Sequence, residues 1–212
     1  MYTLYYAPGA ASLCIHWMLI ELGVPFDTVA VDFAKKAQKD PEYLKLNPSG
    51  VVPTLIVDGA PRFETGALLL LLAERHPEAK LAPAAGEGAH ADMLQWLFYF
   101  ANQLQPAFRL WFYPEEAAGA HNVMASQAES RKRIEAVWDR VDAHLADGRA
   151  FMLGDTMSIV DFHATMLTRW SRNMPKPATA WPHIGAYVKR MRARPALIEV
   201  HKREGLKDWI NN

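Results

Sequence analysis

The sequence predicts a two-part chain, an α/β domain with a mixed four-stranded sheet over residues 1–77 and an all-helical domain over residues 88–212. Three observations predict it. Up to residue 77 the pattern runs strand, helix, strand, short helix, strand, strand, helix; from residue 87 onward only long helical periods remain. Between the two, residues 77–88 are rich in Ala, Pro and Gly, the composition of a short interdomain linker.

Each element follows from local chemistry. Residues 3–6 are β-prone and stop at Ala7-Pro8-Gly9; residues 11–22 read as a helix that ends at Gly23, with Pro25 beyond. Residues 26–31 alternate and are rich in β-branched side chains, and a helix crossing between two strands makes them parallel. Residues 35–46 are charged and irregular, a loop and a short helix. Residues 51–57 and 61–63 flank Asp58-Gly59, a dipeptide that favours a tight hairpin, so these strands are antiparallel. A helix follows from residue 65 to about residue 76. Helical periods then cover residues 89–112, 122–145, 158–172, 181–194 and 196–204.

Composition narrows the function. Half the residues are hydrophobic and 22% are charged, enough to bury a sizeable core. Lys and Arg number 23, as do Asp and Glu, so no charge excess points to nucleic acid or to an anionic membrane. No apolar run approaches the ~18 residues of a membrane span. The single cysteine, Cys14, forbids an intrachain disulfide or a CxxC pair and fits a reducing compartment, and the N-terminus lacks the basic and apolar pattern of a leader, so a cytoplasmic location is expected. The eight histidines form no HxH or HExxH grouping, and no metal is expected.

Three segments could carry chemistry. The turn from Tyr5 to Ser12 delivers Tyr6 and Ser12 to the carboxyl end of strand one and the start of helix one, where open α/β sheets bind ligands and free N–H groups await an anion. The same residues also suit a strand aromatic and a first-turn serine. In Asn47-Pro48-Ser49-Gly50-Val51-Val52-Pro53-Thr54, a cis bond before Pro53 would turn the Val52 N–H and C=O outward to pair with a peptide as an added strand does; an edge-strand proline is the alternative. Glu64-Thr65 places a carboxylate and a hydroxyl at a helix start, suited to the ammonium and carboxylate of an amino-acid head group or to ordinary capping.

Taken in order, these three segments, the linker and Gly154-Asp155-Thr156-Met157-Ser158-Ile159-Val160-Asp161-Phe162 resemble the cytosolic glutathione S-transferases over essentially the whole chain. The YYAPGAAS opening is most similar to the bacterial beta class. The resemblance implies a thioredoxin-like first domain, a homodimer, no cofactor, and glutathione as co-substrate whose thiolate attacks a small apolar, aromatic electrophile. Residue by residue it implies that Val52 and Pro53 hold the cysteinyl part of glutathione, Glu64 and Thr65 its γ-glutamyl head, and Lys36 its glycyl carboxylate. Ser12, with Tyr6 as the other hydroxyl, would stabilise the thiolate. Tyr99, Gln103, Gln105, Pro106, Arg109 and Tyr113 would form the electrophile pocket. Ser158 and Asp161 match a capping box, a folding signal. Two positions depart from the beta class, which carries a cysteine at Ala11 and a histidine at Gln105. A glutathione-dependent isomerase or dehalogenase, or a non-catalytic binding module, are the alternatives.

Overall fold

The computed structural model describes residues 1–119 and 121–210. The chain divides into two compact units, Met1–Ala82 joined by the segment from Met191 onward, and Pro83–Arg190.

In the first unit, strands β1 (Tyr2–Tyr6), β2 (Phe26–Ala30), β3 (Thr54–Val57) and β4 (Ala60–Phe63) form one sheet in the order β2-β1-β3-β4. β1 and β2 are parallel, and the β1–β3 and β3–β4 pairs are antiparallel. The hairpin turns at Asp58-Gly59, both with positive φ, the backbone that such a two-residue turn requires. Helix α1 (Leu13–Leu22) supplies the crossover and stops at Gly23, whose φ of 65° is the left-handed cap the sequence calls for. Residues 13–19 of α1 are all buried, because the helix lies against the sheet, against α3 (Thr65–Arg75) and against α10 (Pro195–Arg203). α2 (Pro41–Leu46) follows a 3₁₀ turn over Ala37–Lys39.

The second unit contains α4 (Gly88–Tyr99), α5 (Gln105–Phe112), α6 (Glu115–Ala118), α7 (Val123–Leu145), α8 (Ile159–Trp170) and most of α9 (Pro182–Arg192). α8 is buried from Ile159 to Arg169. It opens with the expected capping box: Ser158 Oγ accepts from Val160 N, and the Asp161 carboxylate accepts from Ser158 N at 2.8 Å.

Three features differ from the sequence reading. The long helix over residues 89–112 is interrupted by a π-turn, Phe100–Leu104, a local register change to which a 3.6-residue period is blind. Strand three starts at Thr54 rather than residue 51, past the Val52–Pro53 peptide, which is cis. Finally, the C-terminal segment belongs with the first unit. α10 packs on α1, and Glu204 just after it is buried against His16, a contact across 188 residues that no local pattern announces.

Candidate functional site

The strand register brings three of the singled-out segments to one edge of the sheet. Tyr5 pairs with Thr54, Thr54 pairs with Phe63, and Tyr6 pairs with Ala30. Hence the carboxyl ends of β1, β2 and β4 and the amino end of β3 coincide, and with them Tyr6, Val52-Pro53 and Glu64-Thr65. Val52 lies outside the strand ladders, which leaves its N–H and C=O off the sheet's own pairing. Its side chain is buried with Ala7, Val31 and Tyr43.

Two side chains brace this segment from below. Tyr43 donates its hydroxyl to Val51 O at 2.7 Å and accepts from Thr54 Oγ1 at 2.9 Å, while Asn47 Nδ2 donates to Val51 O at 2.9 Å. Gly50 has φ 59°, and a Cβ there would lie 2.8 Å from the Gln38 carbonyl, so the turn before Val51 requires glycine. Tyr43 was not singled out on sequence; Asn47 heads the motif that was.

Glu64 carries φ 73° and ψ 114°, an unusual backbone for a residue with a side chain. Holding it there costs roughly 1–3 kcal/mol, and such strain clusters at ligand-binding sites. Its carboxylate is exposed, whereas Thr65, the first residue of α3, is buried. The first-turn N–H groups of α3 stand beside that hydroxyl, together forming an anion-seeking corner. Lys36 lies on the exposed loop after β2, at the same sheet edge, with φ 58°. Lys35 pairs with Asp32 and Lys39 reaches Ser49 O, whereas among the described residues the Lys36 ammonium makes no hydrogen bond or ion pair.

Ser12 corrects the sequence reading. Its side chain is fully buried, and its hydroxyl is turned back across the loop, accepting from Ala7 N and donating to Ala7 O, both at 3.2 Å. It fastens the turn from Ala7 to Ser12 and presents no hydroxyl outward. Tyr6 is half-buried, its ring edge-on to His16 at 5.4 Å. The same loop is held from the C-terminal segment. Glu204 accepts Gly9 N through Oε2 and His16 Nδ1–H through Oε1, each at 2.8 Å, with both side chains buried. Burial pushes the Cys14 thiol far above the ordinary thiol range, and its S–H donates to Ala11 O at 3.3 Å, so it is an inert core residue.

In the second unit, the six residues expected to form one electrophile pocket separate onto different faces. Tyr99, Gln103 and Pro106 line a groove of about 300 Å³ closed by Arg133, Ala136 and Val137 of α7. Gln105 instead turns to α8, where its Oε1 accepts from His163 Nε2 at 2.7 Å. Arg109 is exposed, donates Nε–H to Glu116 at 2.7 Å, and lies 4.1 Å over the Tyr113 ring. The reason is helical: positions 99, 103, 106 and 110 share one face, and 105, 108 and 112 share another. That second face carries an aromatic cluster. Phe108 stacks on Phe112 at 5.9 Å, and both meet Trp170 edge-on at 5.7 and 5.9 Å. Phe112 is 45% exposed, so the cluster is open on one side.

Comparison with known proteins decides what this arrangement belongs to. Residues 1–74 match the glutathione S-transferase N-terminal domain, and residues 89–195 match the C-terminal domain of the same family. The chain is 31% identical over 207 residues to glutathione S-transferase GST-4.5 of Xanthomonas campestris pv. campestris, covering 96% of this chain and 98% of that protein. The chain belongs to the glutathione S-transferase family. Two solved bacterial structures are similar to this family member. A sphingomonad glutathione S-transferase complexed with glutathione is 33% identical, covers 96% of this chain and 99% of its own, and superposes with a TM-score of 0.83. The beta-class enzyme of Sphingomonas chungbukensis is 30% identical, with 96% and 99% covered and a TM-score of 0.84. Among the described residues of this family member, no helix is long and apolar enough to cross a membrane.

Proposed function

We propose that this enzyme binds glutathione along the sheet edge and uses its thiolate to attack an apolar aromatic electrophile. The observation that carries the reading is the Val52–Pro53 segment, outside the strand ladders, beside the strained Glu64 and the α3 start. A γ-glutamyl head would meet Glu64 and Thr65, the cysteinyl backbone would pair with Val52, and Lys36 would take the glycyl carboxylate. The sphingomonad relative, solved with glutathione, supports this. The open Phe108–Phe112–Trp170 cluster supports an aromatic second substrate.

A free thiol with pKa near 8.5 is only slightly ionised at neutral pH, and lowering it by ~2 units takes about 2.7 kcal/mol. One hydrogen bond to the charged sulfur contributes ~1.5–3 kcal/mol. Since Ser12 spends its hydroxyl on Ala7, Tyr6 is the hydroxyl proposed to act on the sulfur, with Ser12 acting through the loop. Ultraviolet titration of bound glutathione tests this. The thiol pKa should lie below the free value, and Tyr6→Phe should raise it by about one to two units. A rise with Ser12→Ala, in a variant that keeps its fold, and none with Tyr6→Phe would reverse the roles.

The enzyme is further proposed to dimerise. Helix α3 leaves Leu70 and Leu71 half-buried, Phe63 is 39% exposed and Phe98 58%. Large apolar groups in such numbers on surface elements favour a second copy as cover. Light scattering at micromolar concentration should report twice the 23.9 kDa of one chain; a monomer mass contradicts the proposal.

A further inference from the structure

The carbonyl of Val51 has both lone pairs filled from inside the first unit. Tyr43 OH lies 2.7 Å from Val51 O, and Asn47 Nδ2 lies 2.9 Å from it. Elimination assigns the protons. Val51 O can only accept, so the single Tyr43 proton goes there, and Thr54 Oγ1, 2.9 Å from the same phenol oxygen, donates its own to Tyr43. The hydroxyls thus form a directed relay from Thr54 through Tyr43 to Val51. Asn47 is equally determined: its Oδ1 accepts Ser49 N at 3.1 Å, which leaves Nδ2 for Val51. Tyr43, Asn47 and Thr54 are all buried, and burial pushes the Tyr43 phenol up, so it keeps the proton that the relay needs.

The consequence falls on the other end of the peptide unit. The Val51–Val52 peptide is planar and trans, so its C=O and N–H point in opposite directions. Two donors that draw Val51 O inward therefore aim the Val52 N–H away from themselves. The Val52 side chain, packed with Ala7, Val31 and Tyr43, holds the next residue in place. Among the described residues the Val52 N–H donates to nothing. Backbone donors beside buried side chains ordinarily have acceptors, and here the acceptor is left to come from outside the fold.

We propose that Tyr43 is a positioning residue for glutathione: through the Val51 carbonyl it fixes the direction of the Val52 N–H, and so sets the affinity for a peptide carbonyl that it does not itself touch. The inference rests on the glutathione reading above. Without the phenol, Val51 O keeps one donor of two and the peptide plane gains freedom to rock. If the plane then holds the binding orientation for roughly a tenth to a third of the time, the apparent Kd rises by about three- to tenfold.

The experiment titrates the full chain calorimetrically with two ligands. One is glutathione; the other is an analogue whose cysteinyl–glycyl amide is replaced by an E-alkene of the same shape, which has no carbonyl to accept the Val52 N–H. Tyr43→Phe should raise Kd for glutathione about three- to tenfold and change that for the alkene by less than about twofold. Thr54→Val, which leaves the Tyr43 proton on Val51 O but removes its support, should show the same selectivity with a smaller loss. Equal losses for both ligands, or an unchanged Kd for glutathione in Tyr43→Phe, overturn the assignment. Amide exchange followed by nitrogen-15 NMR gives a second readout. The Val52 N–H should exchange freely in the unliganded wild type and become protected about tenfold or more at saturating glutathione, with less protection in Tyr43→Phe. A Val52 N–H already protected in the unliganded chain overturns the assignment. A wild-type chain that binds no glutathione overturns the reading beneath it, and the exchange rate of the unliganded chain still decides whether the Val52 N–H stands without an acceptor.

Discussion

Asp161→Ala is expected to destabilise the protein by about 3–5 kcal/mol, because four donors would lose one acceptor. The carboxylate accepts Met152 N and Ser158 N at 2.8 Å, and Ser158 Oγ and Tyr187 OH at 3.1 Å. It thereby joins the start of α8 to the loop before it and to α9. Burial pushes this carboxyl up to about 6 from an ordinary 3.8. Its folded-state pKa is thus raised, so the folded protein holds a proton that the unfolded chain releases first. The stabilisation from that proton is complete below about pH 4 and is lost as pH rises through about 6. Relative to Asp161→Asn, which cannot titrate, the wild type should lose about 3 kcal/mol across that window. Urea denaturation at several pH values measures both effects. A flat difference between wild type and Asp161→Asn would contradict the assignment.

Glu204→Ala should cost a comparable amount, about 3–5 kcal/mol, because it removes a buried carboxylate that accepts from both His16 Nδ1–H and Gly9 N–H. The effect should also reach the proposed glutathione site, since Gly9 belongs to the turn that Ser12 closes. A neighbouring carboxylate provides the contrast. Glu199 pairs with Arg203 on the exposed side of α10, and Glu199→Ala should cost less than about 1 kcal/mol. Two equal denaturation midpoints would show that burial of the Glu204 pair carries no weight.

The elements that sequence reading placed well are those whose signals are local. Gly23 after an apolar run, Asp58-Gly59 between β-branched runs, and Ser158 three residues before Asp161 each specify a backbone conformation within a few residues. The gathering of Val52-Pro53 and Glu64-Thr65 at one sheet edge was legible for the same reason: both begin or precede elements whose ends a sheet topology must align. What stayed hidden is set by contacts distant in sequence. Nothing near Ser12 says that its hydroxyl folds back on Ala7, and nothing near Glu204 says that it completes the loop at Gly9. The π-turn at Phe100–Leu104 shifts the helical phase, so a stripe drawn through residues 99–113 mixed two faces. The Gln105–His163 pair lies on the face that this mixing obscured.

The measurement that bears most directly on the account is calorimetric titration of glutathione into the full chain and into Thr65→Ala. One saturable site per chain is expected in the wild type, weakened in the variant by ~1–3 kcal/mol, or about 5- to 150-fold in Kd. No binding to the wild type, or an unchanged Kd in Thr65→Ala, would contradict it.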